Sequence, residues 1–335
     1  GNSTDANGGA IYTAATGVAS TLSGNITATD AALTVSNAAA YPAQPGFLIL
    51  VGNEQMRVEA INGAAFSVTR AVNGSTATVH SAGATVSVVD MSLINSTVVT
   101  NSADFGAGVF NDGGAVVITG SSVTSNVATT DGGGVYNDRT ATLNVLGSTL
   151  VSNSAGRDGG GVYNNDSATA SITDATVNGN IAARNGGGLF NEIVAVANLN
   201  NTRFSANTAA DGGGIYNEDG QVVIAGGSLI ANVSSGDGGG LLATSSAVTT
   251  GDGTSVSGNR SGGDGGAFAN DGSLTISNST VASNTADGDG AAIANSSVVS
   301  INTATVSANM AVGSGGAIYN ESVGNVNLTS TTISN

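Results

Sequence analysis

The stretch Gly132-Gly-Gly-Val-Tyr-Asn-Asp-Arg-Thr-Ala-Thr-Leu-Asn-Val-Leu-Gly-Ser-Thr-Leu-Val-Ser-Asn153 contains three runs of strand length: Gly-Val-Tyr-Asn, Ala-Thr-Leu-Asn-Val-Leu and Ser-Thr-Leu-Val-Ser-Asn. Gly, Asp, Ser and Asn separate them, and these are turn formers. The opening phrase returns as Gly159 to Asn164, Gly186 to Asn191, Gly212 to Asn217 and Gly315 to Asn320. Its closing asparagines are Asn111, Asn137, Asn164, Asn191, Asn217, Asn270, Asn295 and Asn320, spaced 25 to 27 residues apart where neighbouring repeats both keep them. A second series closes a Val/Leu-x-x-Asn phrase at Asn25, Asn101, Asn126, Asn153, Asn180, Asn207, Asn232, Asn259, Asn284 and Asn309.

A period near 26 with apolar alternation inside it is the mark of a solenoid, and no stretch carries the 3.6-residue period of a helix. Stacking such coils pairs each strand with its own copy above and below, at roughly 4.8 Å per step. The expected fold is all-β, a right-handed parallel β-helix of about eleven coils and ~50 Å, the hand following from the dominance of right-handed crossovers.

One segment breaks the rhythm. About sixty residues, 31–90, replace what reads as the glycine corner of the second coil, leaving 1–30 and 91–335 as the β-helix. The insert holds both prolines (Pro42, Pro45), the single histidine (His80), and alternating runs joined by Asn62-Gly63 and Asn73-Gly74. These are hairpin signals, so the insert is predicted to be a small antiparallel β module projecting from the side of the rod.

Composition bounds the function. Fifty-one glycines would suggest disorder, but 40% of residues are hydrophobic, enough for a thin core spread along an axis. Cysteine is absent, so no disulfide contributes, and every basic residue is arginine. A net charge of −16 without basic clusters opposes nucleic acid and anionic membrane surfaces as partners. No apolar run is longer than Phe47 to Val51, which is far too short to cross a membrane.

The Gly-Gly-x-Ile-Tyr-Asn phrase together with Leu-Thr-Ile-Ser-Asn-Ser-Thr-Val-x-x-Asn, as at Leu274 to Asn284, resembles the polymorphic outer-membrane-protein repeat and the bacterial β-helix surface proteins built on Gly-Gly-Gly-Ile-Tyr-Asn. The resemblance covers Gly1 to Asp30 and Met91 to Asn335 and implies the β-helix fold and an extracellular or cell-surface location. It implies no catalytic residue.

Stacking turns each repeated position into a column. Asn126, Asn153, Asn180, Asn207, Asn232, Asn259, Asn284 and Asn309 should form a structural amide ladder. Phe110, Tyr136, Tyr163, Phe190 and Tyr216 form an aromatic column with two readings. If Val135 and its equivalents point inward, alternation makes the rings an outer stripe for glycans or another protomer; if the corner turns both residues inward, they fill the core. Asp131, Asp158, Asp211, Asp237, Asp264 and Asp289 precede the glycines. They read as solvated turns, or as Ca²⁺ sites, since oxygen-rich Asp/Gly loops suit calcium. Beyond that alternative no cofactor is expected.

Catalysis finds little support: lysine and tryptophan are missing, the acids repeat with the coil instead of clustering, and His80 reads as a turn or surface residue. Thr331-Thr-Ile-Ser-Asn335 followed by Gly1 to Tyr12 reproduces an internal coil such as Thr305 to Tyr319 within one or two residues. The sequence therefore reads as a non-enzymatic extracellular structural protein, a β-helical subunit or segment of a fibre assembled head to tail through Gly1–Tyr12 and Thr331–Asn335. A carbohydrate-binding adhesin or autotransporter-like passenger is the alternative, and a polysaccharide lyase or hydrolase ranks last.

Overall fold

The computed structural model describes residues 1–14, 20–245 and 247–334, and apart from two 3₁₀ turns its regular structure is all strand. Four parallel sheets run the length of a solenoid. Three contain ten strands each and the fourth nine. The first sheet runs from Ile11–Ala14 to Ile318–Asn320, the second from Met91–Ile94 to Asn325–Thr329, the third from Thr97–Val99 to Thr332–Ser334, and the fourth from Ser102–Phe105 to Met310–Ala311. Ten stacked strands make nine turns between first and last, fewer than the eleven coils expected, because Asn25 does not close a coil and Asn335 lies outside the described residues. Below, a coil is numbered by the strand it contributes to the first sheet.

Every repeated phrase stacks on its own copy. Val135 lies beside Val162, Val162 beside Leu189, and Leu189 beside Ile215, all fully buried. Core positions of the second and third sheets join them, such as Val145, Ile172, Leu150 and Val177. Apolar burial at ~25 cal/mol per Å² acts along the whole axis, so no single coil carries the core.

The paired glycines have a steric reason. Gly132 has φ +67°, a left-handed conformation, and a Cβ on Gly133 would lie 2.6 Å from the carbonyl oxygen of Gly160 in the next coil. The left-handed position is glycine in neighbouring coils too, at Gly106, Gly159 and Gly290, whereas the place of Gly133 is held by Ala107 in coil 2 and Ala291 in coil 9.

The insert differs from the expectation in boundary, entry point and form. Its six strands, Ser20–Thr21, Ala32–Thr34, Leu48–Val51, Glu54–Asn62, Ala65–Thr69 and Thr85–Val88, form one antiparallel sheet with the two shortest at its ends. Those ends meet: Ser23 N–H donates to Thr34 O and Ser36 N–H to Thr21 O, both at 2.8 Å. The sheet therefore closes into a small barrel around Leu22, Ile49, Val51, Met56, Val58, Phe66 and Val86. Closure removes the unpaired edges that an open module would expose. The residues from Ser20 to Asp30 belong here and not to the rod, because Leu22 and Ile26 are buried in the barrel core. The chain leaves the rod after the Ile11–Ala14 strand of coil 1, between the first and second sheets, so the glycine corner at Gly8-Gly9 is kept.

The barrel does not project freely. Gln55 Nε2 donates to Thr119 Oγ1 at 3.3 Å and Asn144 Nδ2 to Asn53 O at 3.4 Å, which places the barrel on the outer face of the second sheet. Beneath it the outward residues Val117, Asn144 and Ser171 of coils 2, 3 and 4 are buried.

Candidate functional site

Two asparagine columns hold the coils in register. In the first, each Nδ2 donates to the Oδ1 of the next coil's asparagine: Asn126 to Asn153, Asn153 to Asn180 and Asn180 to Asn207, each at 3.0 Å. The series continues through Asn232, Asn259 and Asn284 to Asn309. The same oxygen also accepts the backbone N–H of the preceding asparagine, as from Asn153 to Asn180 at 2.9 Å. The residue before each asparagine turns the corner with positive φ, for example 56° at Ser125, 54° at Ser152 and 52° at Ala206. That conformation costs a non-glycine residue ~1 kcal/mol, which the amide bonds offset. Asn2 starts this column by donating to Asn101 Oδ1 from its Nδ2 at 3.2 Å and its backbone N–H at 2.9 Å, whereas Asn25 caps a barrel loop by accepting from Ala82 N–H.

The second column runs from Asn111 through Asn137, Asn164 and Asn191 to Asn217, with Nδ2 to Oδ1 distances of 2.8 to 2.9 Å. It stops where coil 7 carries Ala243 and resumes from Asn270 to Asn320. The oxygens at the breaks, Asn111 Oδ1 below Thr13 and Asn270 Oδ1 below Ala243, are buried without a partner.

The aromatic column lies on the side of the first sheet opposite the main core, since Val135 packs in that core and Tyr136 in a separate cluster. The rings stack face to face. Phe110, Tyr136, Tyr163, Phe190 and Tyr216 follow at centroid distances of 5.0, 4.7, 4.9 and 5.2 Å. Loop residues close over them, leaving Phe110, Tyr136, Tyr163 and Phe190 between 2% and 8% exposed, while Tyr12 at the head of the stack is 50% exposed. A second acidic line, which the sequence reading missed, borders this stack. It consists of Asp112, Asp138, Glu192 and Glu218, each directly after a ladder asparagine, a spacing that was visible in the sequence. Tyr163 donates to Glu192 at 2.8 Å and Tyr12 to Asp112 at 2.7 Å. Burial pushes the Glu192 and Glu218 carboxyls up, with neighbouring carboxylates adding to it. Burial also pushes the Tyr136 and Tyr163 hydroxyls up.

The acids before the glycines are built into the backbone pattern. Asp131 Oδ1 accepts the N–H of Asp158 at 3.1 Å, Asp211 that of Asp237 at 2.8 Å, and Asp237 that of Asp264 at 2.7 Å. Asp264 accepts from Asp289 at 2.6 Å, and Asp289 from Ser314. Arg157 pairs with Asp131 and Arg184 with Asp158, offsetting the repulsion between stacked carboxylates. Among the described residues no arginine pairs with Asp211, Asp237 or Asp264, and burial pushes the Asp237 carboxyl up. Among the described residues, no group of three or more His, Cys, Asp or Glu could hold a metal ion.

His80 is not a surface residue. Its side chain is 10% exposed, and its Nε2 lies 2.8 Å from Oε2 of Glu54, which is fully buried in the barrel. Arg70 grips Glu54 through Nε at 2.6 Å and Nη2 at 2.7 Å, and Thr78 N–H adds a bond at 3.0 Å. Arg70 also donates to the carbonyls of Thr27 and Thr78. Burial raises the Glu54 carboxyl, but Arg70, the Thr78 N–H and His80 outweigh it and hold it at about 2. The network ties three loops together, a pattern no local motif announces.

No family model matches the chain, and no curated protein matches it. Among solved structures it is similar to the Pseudomonas phage phi297 tailspike gp61, at 11% identity and a TM-score of 0.25, over 93% of this chain and 62% of that one. The expectation that the chain is not an enzyme is withdrawn, because a β-solenoid offers no ground for excluding catalysis. A likeness at that score assigns no activity in its place. No helix among the described residues is long and apolar enough to cross a membrane.

Proposed function

We propose that the chain is a β-helical section of an extracellular fibre that lengthens by coil-on-coil stacking and carries the barrel on its flank. The extracellular placement rests on the resemblance of its repeats to bacterial β-helix surface proteins. The observation that carries the stacking is the face of coil 10. Leu328 and Ile333 are 49% and 44% exposed there, whereas Ile301 and Val306, the same positions one coil earlier, are fully buried. Exposed parallel edges and half a core form a template for a further coil.

Coil 1 offers the matching face. Ile11, Met91 and Leu93 are only partly buried, and they occupy the register positions of Ile318, Val326 and Leu328. Such a contact joins two different faces and does not close, which gives filaments. Further coils of a tandem polypeptide would satisfy the same faces. Sedimentation of the 335-residue polypeptide tests the reading. Leu328→Asp should abolish concentration-dependent growth while leaving the circular dichroism unchanged. Val298→Asp, on the half-exposed side of coil 9, should leave growth intact. Equal growth in wild type and Leu328→Asp would refute stacking through this face.

A further inference from the structure

A repeating solenoid has a problem that its stability does not solve. Core positions in successive coils are interchangeable: Val116, Leu143, Ala170, Ala197 and Val222 succeed one another at one site of the second sheet, all buried and apolar. A coil that stacks one place out of register loses little. Each parallel pairing also closes a loop of about 26 residues before any contact repays it, which makes nucleation slow.

The barrel starts from local pairs: Leu48–Val51, Glu54–Asn62 and Ala65–Thr69 are joined in succession by two-residue turns, and its longer-range strands add to that meander. Its strands are antiparallel, its core is its own, and its hairpin at Val51 to Glu54 joins neighbouring strands by a two-residue turn. Hairpins form in ~1–10 μs, well before parallel coils stack. The barrel also meets the rod at positions that do not repeat. Val117 occupies a site held by Asn144, Ser171 and Asn198 in the next three coils, faces away from the rod core, and is fully buried. Two residues along the same face, Thr119 accepts from Gln55, and in the adjacent coil Asn144 donates to Asn53. On the barrel side Leu50 points away from the barrel core yet is only 3% exposed, and Gln55 is fully buried.

We infer that the inserted barrel is a folding template: it forms first, captures coils 2 and 3 through Val117, Thr119 and Asn144, and so fixes where stacking starts and in which register. This role is independent of fibre growth.

Folding kinetics on the full chain decide it. Val117→Ala should slow refolding about tenfold and leave the unfolding rate nearly unchanged, because the contact is made before the rate-limiting step. Val281→Ala, a core residue of coil 8 remote from the barrel, should do the reverse and mainly speed unfolding. Gln55→Ala, which removes the bond to Thr119 and the one Gln55 Oε1 accepts from Asn73 Nδ2 within the barrel, is the second probe should Val117→Ala not fold, and it should slow refolding as well. Val117→Ala and Gln55→Ala variants that refold at the wild-type rate and only unfold faster would overturn the inference, leaving the barrel a passenger that docks after the rod has formed.

Discussion

Coil 7 is where the ladder fails, and repairing it measures what the ladder contributes. Ala243 stands in line with Asn217 and Asn270, so Asn270 Oδ1 is buried with nothing to accept. Ala243→Asn would place an amide on a backbone that holds asparagine in the other coils of the column. Its Nδ2 would reach Asn270 Oδ1 at the 2.8 Å seen from Asn164 to Asn191. A buried unsatisfied acceptor costs ~1–3 kcal/mol and ordering a buried side chain ~1 kcal/mol, so the net gain should be ~1 kcal/mol. The converse variant, Asn180→Ala, deletes bonds to Leu150 O at 2.9 Å and Asn207 Oδ1 at 3.0 Å, and takes the acceptor from Asn153 N–H and Nδ2. Its cost should be ~3–5 kcal/mol. Urea unfolding followed by far-ultraviolet dichroism reads both, with hydrogen exchange locating the change at coils 7 and 8. An Ala243→Asn variant no more stable than wild type, beside an Asn180→Ala variant that loses less than ~1 kcal/mol, would refute the claim that the amide ladder holds the coils.

Three further outcomes follow from the same geometry. Gly251 occupies a core site held by Ile224 and Ile276 in the adjacent coils, and a Cβ there meets nothing closer than 3.9 Å, so Gly251→Val should stabilise the rod by ~1–2 kcal/mol in urea unfolding. Because burial raises Glu192 and Glu218 in the folded state, that state binds protons more tightly than the unfolded chain; the rod's melting temperature should rise as the pH falls from neutral into the mildly acidic range, and double Gln substitution should flatten the trend. Glu54 has the opposite sign: held at about 2, it contributes roughly 3 kcal/mol above the ordinary carboxylate range that is lost as the pH falls toward 2, so hydrogen exchange across the barrel should accelerate there before the rod opens.

The rod was legible because each coil repeats one environment, so the same residue types recur at the same spacing. Gly133 and its equivalents, Asn126 to Asn309 and the buried valines all declare themselves that way. What was misread does not repeat. Asn25 imitates a coil-closing asparagine but caps a barrel loop, while Asn2, the true head of that column, lacks the preceding Val/Leu phrase. Strand alternation left the aromatics open between stripe and filler; their cover comes from side chains of other coils, such as Asn165 on Tyr136 and Glu192 on Tyr163. The barrel pairs segments up to 66 residues apart, Ser20 with Val86, and the Glu54–Arg70–His80 network reaches 43, from Arg70 to Thr27, with no period to reveal them.

Electron microscopy of the purified polypeptide at rising concentration tests the central claim most directly. Stacking through the faces of coils 1 and 10 should give unbranched filaments with an axial repeat of ~48 Å, ten coil steps of ~4.8 Å, each repeat marked by one barrel on the flank. Particles that remain single rods of ten coils at every concentration, with both end faces solvent-exposed, would contradict it.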